Sequence, residues 1–184
     1  MRKACRDAAG WKNGLNISVN VSPIQFTTSD LPDVIKSALD DAGLEPHRLS
    51  IEITESTFLI GNQIIDILKR LRALGVGIVM DDFGTGYSSL SHIRDFQFDK
   101  VKIDRSFIWD IIKRPPSAAI VDAILSLGRG LGMDIVAEGI ETAEQLAYLE
   151  QRSCSLVQGY FIGKPSQTIA EQPRTEVLES PVAA

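Results

Sequence analysis

The segment Met80–Leu90, MDDFGTGYSSL, sets two aspartates side by side at the end of an apolar run and follows them with a glycine-bearing loop. An unpaired carboxylate at the end of a buried strand costs more than its packing returns, so Asp81 and Asp82 require something to face. Other polar residues recur at the same kind of place. Short apolar stretches end in, or just before, Asn20, Glu52, Lys102, Glu138 and Gln158, and Asp104 closes the stretch that holds Lys102. If these stretches are neighbouring strands, five carboxylates (Glu52, Asp81, Asp82, Asp104, Glu138) converge with one lysine and two side-chain amides. Such a set stays ionised only beside cations. Hard oxygen donors of this kind suit Mg²⁺ or Mn²⁺. The two histidines, His47 and His92, stand in loop or helix contexts, which argues against zinc. Paired divalent ions held by carboxylates suit phosphodiester hydrolysis, in which they activate a water and stabilise the oxygens of an in-line displacement. Lys102 would then hold the water or the phosphate.

Each residue also has an ordinary structural reading. Asn20 could satisfy a strand end, and Glu52 could be half-buried and paired. Asp81 and Asp82 could cap a turn, and Lys102 and Asp104 could pair with each other. Glu138 and Gln158, each followed by a glycine, could belong to turns. The shared location at strand ends favours the functional reading over any one residue taken alone. Cys5 and Cys154 read as packing residues.

The elements that must position these groups alternate in period. Strands are predicted at 15–21, 49–54, 76–82, 100–104, 133–139 and 155–160. Helical patterns lie between them. One opens at a capping Asp30, carries Pro32 in its first turn and ends at Gly43; another puts Ile64, Leu68 and Leu71 on one stripe and stops at Gly75. Residues 117–132 and 141–151 continue the alternation. Strand–helix repeats imply parallel strands with helices outside. Within the strands, Val19 and Val21 oppose Ser18 and Asn20, Ile51 and Ile53 oppose Glu52 and Thr54, and Val101 and Ile103 oppose Lys102 and Asp104. A doubly wound sheet is apolar on both faces, so the polar face points to a barrel whose interior becomes a site near the strand ends. The fold class is therefore α/β, a TIM-type (β/α) barrel.

The chain has 184 residues, 44% hydrophobic and 23% charged, an ordinary composition for one globular domain. Its net charge of −5 and the lack of a basic stripe argue against a nucleic-acid duplex as partner. Two cysteines without metal or disulfide spacing, a charged N-terminus with no signal-like apolar region and no run of membrane-spanning length predict a cytoplasmic location without a membrane segment. Residues 1–165 form the expected domain, and 166–184 a weakly patterned tail expected to fray.

The motifs NVSPIQF, IEITES, MDDFGTGYSSL, VKIDRSFI, VAEGIET and QGYFIGKP resemble, in order, those of the EAL-domain family, bacterial phosphodiesterases that linearise cyclic di-GMP to pGpG. The resemblance implies two divalent ions, Mg²⁺ or Mn²⁺. It makes Asn20, Glu52 and Asp81 ligands of a first metal, sets Asp82 at a second metal or between the two, and places Asp104 beside the second. Lys102 resembles the lysine that contacts the catalytic water, Glu138 a metal-site carboxylate discussed as a base, and Gln158 a glutamine that orders water and metal. Glu55 matches a glutamate that anchors the loop, and Glu141 a second glutamate beside the site. Gly84, Thr85, Gly86, Tyr87, Ser88, Ser89 and Leu90 resemble a dimer-facing, activity-controlling element, which implies a homodimer.

One departure stands out. No Glu-Ala-Leu tripeptide occurs in the chain. Six predicted strands also fall short of the eight of a closed barrel. The expectation is an incomplete barrel, part of a larger sensor protein, lacking its first strands and impaired as a hydrolase. The alternative is an inactive EAL-like module that binds cyclic di-GMP or a protein partner. The open edges at 16–21 and 155–160 provide a second route to self-association.

Overall fold

The computed structural model of the chain describes residues 1–12, 14–61, 63–85, 89–154 and 156–166. Among these, strands β1 (Ile17–Asn20), β2 (Leu49–Thr54), β3 (Gly77–Phe83), β4 (Lys100–Ile103), β5 (Asp134–Glu138) and β6 (Leu156–Gln158) alternate with helices. The helices are α1 (Arg2–Ala9), α2 (Gln25–Thr28), α3 (Leu31–Ala42), α4 (Gln63–Ala73), α5 (Ser89–Asp95), α6 (Arg105–Trp109), α7 (Pro115–Leu131) and α8 (Ala143–Glu150). All five ladders are parallel and the strand order is sequential, so the chain winds one way and forms a half-barrel with its helices outside. The edges β1 and β6 stay open among the described residues. No helix of the described residues is long and apolar enough to cross a membrane.

The outer face of the sheet is the core. Leu49, Ile51 and Ile53 on β2, Ile78 and Met80 on β3, and Val101 and Ile103 on β4 are all fully enclosed. Ile35 of α3, Ile64, Leu68 and Leu71 of α4, and Val121 and Leu125 of α7 cover them. The α4 stripe read from the sequence is thus the buried one. Opposite residues on the inner face alternate as predicted on β2, where Ser50, Glu52 and Thr54 are half-buried. β3 departs from the pattern, because Ile78, Val79 and Met80 are buried in succession. As a central strand it is covered on both sides, and only Asp81 restores polarity inside.

Element ends follow local chemistry. β2 has the predicted bounds, while the edge strands contract to four residues in β1 and three in β6. A strand with one neighbour forms a ladder only where that neighbour runs alongside. α7 starts earlier than predicted because Pro115 and Pro116 fit a first turn, which needs no N–H donors. Asp30 does hold the N-cap position of α3, but its carboxylate turns to Arg70 Nη2 (3.0 Å) and does not cap. α8 begins at Ala143 under a reciprocal capping box between Thr142 and Gln145.

After β6 the chain is tied to the turn after β5. Ile140 N–H donates to the Gln158 carbonyl (3.1 Å), and Phe161 N–H to the Ile140 carbonyl (3.0 Å). Gly159 lies between them, where a methyl group would stand 2.2 Å from the nitrogen and oxygen of Ile140. Gly159→Ala is therefore expected to lower unfolding stability by about 2–3 kcal/mol, read as a reduced urea midpoint with an unchanged slope.

Candidate metal centre

The polar strand ends meet on the inner face at the C-terminal edge of the sheet, where barrel folds place their chemistry. Parallel register aligns them: Asn20 lies opposite Glu52, Thr54 opposite Asp81, Lys102 opposite Val136, and Glu138 opposite Gln158. Lys102, 7% exposed, is the centre of the arrangement. Its Nζ lies 2.7 Å from Glu138, 2.8 Å from Glu52 and 3.1 Å from Asp81. The lysine pairs with these three and not with Asp104, as the plain ion-pair reading had it.

Two consecutive strand residues ordinarily point to opposite faces. Asp81 and Asp82 escape that rule. Asp82 adopts φ +54°, and the β3–β4 register shifts between Met80 and Phe83. This bulge re-aims the second carboxylate. Asp81 Oδ1 accepts from Asp82 N–H (3.0 Å), and Thr85 Oγ1 donates to the Asp82 carbonyl (2.8 Å), closing the turn. As a result, Asp81, Asp82 and Glu138 each present an oxygen, all within 4.8 Å of one another.

The electrostatics show a surplus of negative charge. Burial pulls the Lys102 pKa down, but its hydrogen bonds to Glu138 and Glu52 outweigh this and hold the ammonium protonated well above the usual lysine range. Burial pushes Glu138 up despite its bond to Lys102, with Asp81 and Glu52 adding repulsion. Both directions follow from a single ammonium shared among several carboxylates: the cation is held firmly and one acid is left short of compensation. Asp82 is likewise raised, by burial and then by Asp81 and Asp104, against the opposing pull of Lys102 and Arg105. Clustered carboxylate oxygens that one ammonium does not neutralise fit a hard divalent ion.

The remaining predicted residues take varied places. Asp104 is the N-cap of α6, its Oδ1 accepting from Ser106 N–H (3.0 Å) and from the Ser106 hydroxyl. Asn20 and Gln158 are exposed at the two edge strands. Glu141 is exposed ahead of α8, and its N–H donates to Gln145 Oε1 (2.7 Å). Glu55 opens a 3₁₀ segment, Glu55–Ile60, and its Oε1 accepts from Gly84 N–H (2.9 Å). Gly86, Tyr87 and Ser88 lie outside the described residues, as do the side chains of Ser89 and Leu90.

Sequence reasoning missed two supports of this loop. Gly84, at φ +97°, packs against the Phe107 ring, 2.9 Å from where a methyl group would sit. Phe58, in the same 3₁₀ segment as Glu55, stacks on His92 of α5 (centroids 4.1 Å apart, 14° between planes). The segment after β2 thus touches the chain on both sides of residues 85–91. An Asp-x-Ser capping pattern at Asp104–Ser106 was available as a signal for the α6 turn that carries Phe107. Nothing in one sequence pairs Phe58 with His92.

A sequential parallel sheet with outer helices and acids gathered at its strand ends defines a TIM-type barrel domain with a centre suited to divalent ions. The chain belongs to the EAL domain family, which matches residues 1–165. It is 50% identical over 167 residues to a signalling protein of Caulobacter vibrioides, covering 90% of this chain and 21% of that protein. It is 44% identical over 168 residues to MucR of Pseudomonas aeruginosa, a bifunctional diguanylate cyclase/cyclic di-GMP phosphodiesterase, covering 89% of this chain and 24% of MucR. The solved PaMucR phosphodiesterase in complex with c-di-GMP superposes with a TM-score of 0.83 at 43% identity, covering 89% of this chain and 68% of that one. BlrP1 of Klebsiella pneumoniae, solved with manganese and cy-diGMP, gives a TM-score of 0.84 at 32% identity, over 89% of this chain and 43% of that one. The chain spans about a fifth to a quarter of the length of these curated relatives.

The Glu55–Gly84 bond predicts a loop effect distinct from metal chemistry. Glu55→Ala is expected to cost about 1–3 kcal/mol and to speed amide exchange at Gly84 beyond the change at core strand amides. Unchanged exchange at Gly84 would show that the bond does not hold the loop.

Proposed function

We propose that this chain is the phosphodiesterase domain of a larger sensor protein and hydrolyses cyclic di-GMP to pGpG. The observation that carries the reading is the gathering of Glu52, Asp81, Asp82 and Glu138 around Lys102 at the strand ends, on a fold shared with solved c-di-GMP complexes. Mg²⁺ or Mn²⁺, two ions in the intact site, would supply a nucleophilic water and charge stabilisation on the phosphoryl oxygens. The manganese complex of BlrP1 supports this choice of metal.

The chain's own residues divide the work. Asp81, Asp82 and Glu138 would hold one ion, and Glu52 with Asn20 would extend the site toward β1. Lys102 would orient the attacking water, which would add to phosphorus in line with the ribose 3′-oxygen; the P–O3′ bond breaks as the new P–O bond forms, and the departing 3′-oxygen takes a proton from solvent to become the 3′-hydroxyl. Glu138, whose pKa burial raises, accepts the water's proton. Gln158, opposite Glu138 in register, orders the water around it. Asp104 fixes the first turn of α6 next to Asp82 and so sets the position of the second carboxylate. Glu141, exposed ahead of α8, would act beside the site as a positioning group.

Incubating the protein with cyclic di-GMP and Mn²⁺, with chromatography of the products, tests the reading. The six-stranded sheet predicts weak turnover that rises when the chain is extended at its N-terminus to supply further strands. In the extended protein, Glu52→Ala or Lys102→Ala should reduce the rate by on the order of 10²-fold or more. Near-parental rates would refute the assigned roles. Binding of cyclic di-GMP without hydrolysis in both forms would identify a binding module.

We also propose that the chain forms a homodimer through the Gly84–Leu90 loop and α5. The support is that Gly84, which opens this loop, is held by Glu55, and that Thr85 is bonded to the Asp82 carbonyl, so a partner seated on the loop would bear on Asp82 through the backbone. Light scattering at tens of micromolar, roughly the range in which a typical Kd is populated, should report a dimer, and Leu90→Asp should dissociate it. A dimer unaltered by Leu90→Asp would move the interface to the open sheet edges.

A further inference from the structure

The centre contains two overlapping triplets of carboxylates. Lys102 Nζ contacts Glu52, Asp81 and Glu138, while the oxygens that converge within 4.8 Å of one another belong to Asp81, Asp82 and Glu138. Asp81 and Glu138 are common to both. Glu52 belongs only to the lysine's set, and Asp82 only to the convergent one. The two triplets share the Asp81–Glu138 pair, and the ammonium lies in the one that includes Glu52.

Building on the metal-centre reading, we propose that Lys102 is an internal cation that makes metal loading ordered. A first divalent ion binds among Asp81, Asp82 and Glu138 without disturbing the lysine. A second ion binds beside Glu52 only by displacing the ammonium from it. Charge supports this order. Four ionised carboxylates and one ammonium leave an excess of three negative charges, and one divalent ion reduces it to one. A further ion added with the ammonium still in place would turn the centre positive and bring two cations to one carboxylate. Replacement is the cheaper path. Lysine suits the task, since its ammonium is a compact charge on a flexible stem. Once displaced from Glu52, Nζ is free to face the water or the phosphate, so completing the metal pair and placing the lysine become one event.

Mn²⁺ titration followed by calorimetry and by electron paramagnetic resonance tests the proposal without reference to turnover. The wild type should bind one Mn²⁺ and then a second with affinity lower by on the order of tenfold or more. Lys102→Met should narrow that gap severalfold, and Lys102→Arg should retain it. Glu52→Gln should abolish the weaker class and leave the first ion bound. The double variant Lys102→Met/Glu52→Gln should return to one ion. If Lys102→Met does not fold by circular dichroism, Lys102→Gln and the single Glu52→Gln variant carry the same expectations. A gap that survives removal of the ammonium, or loss of the first ion in Glu52→Gln, overturns the ordered loading while leaving a metal centre intact. No Mn²⁺ bound by any form overturns both the loading order and the metal-centre reading.

Discussion

The ammonium of Lys102, shared by Glu52, Asp81 and Glu138, is the interaction on which the interior of this half-barrel depends. The outer face of the sheet is held by ordinary hydrophobic burial under α3, α4 and α7. Among the described residues, the C-terminal end of the inner face is lined by the polar groups of the cluster instead. Carboxylates from β2, β3 and β5 would repel across the strands without a cation among them. Lys102 on β4 supplies one at the midpoint, and nearly complete burial makes each of its contacts count for more than a surface pair. Removing one partner from a buried set of this kind leaves uncompensated charge, the costly case for buried ion pairs.

The second constraint is local and concerns the backbone. The bend at Asp82 recruits a carboxylate that strand alternation would have turned away. It is closed by Thr85, supported by Glu55 at Gly84, and backed by the Phe107 ring. Phe107 is set in turn by the Asp104 cap of α6. Asp104 therefore reaches the centre through the backbone of its helix as well as through its charge. The two loops after β3 and β5 are both packed on this first turn: Gly84 meets Phe107, and Gly139 meets Arg105. The loops that follow Asp82 and Glu138, on separate strands, thus rest on one short helix.

Much of this was legible in the sequence, and the reasons for the rest are physical. The repeating strand–helix period, the outer helices and the polar inner face all followed from the alternation in ISVNV, SIEIT and VKID. In ISVNV and SIEIT the pattern survives because one face is more exposed than the other; in VKID it survives in residue type alone, because Lys102 is buried among carboxylates. β3 was harder to read, because a central strand buried on both sides loses the period that marks a face. Edge strands came out shorter than their apolar runs, since ladder pairing requires a neighbour that composition does not reveal. The gathering of Glu52, Asp81, Lys102 and Glu138 was readable from shared strand-end positions. Asp82 was read into the convergent set from its place beside Asp81 at the strand end, and it does converge, but the means was hidden: alternation places adjacent residues apart, and a bulge is a property of two strands together. The Asp30 side chain was misplaced for a related reason: a cap is local, but Arg70 forty positions away made the better partner.

The conformation of Asp82 has an evolutionary reading. A left-handed backbone is tolerated by glycine, asparagine and aspartate and resisted by branched or bulky residues. Among these, only aspartate also brings a negative charge to the centre. A single-base path to asparagine or glycine is therefore compatible with the bend while discarding a carboxylate of the cluster. Under the proposed function, drift at this position would spare the backbone and cost the chemistry. A lineage relieved of selection for hydrolysis would then cross from enzyme to receptor here without passing through an unfolded protein.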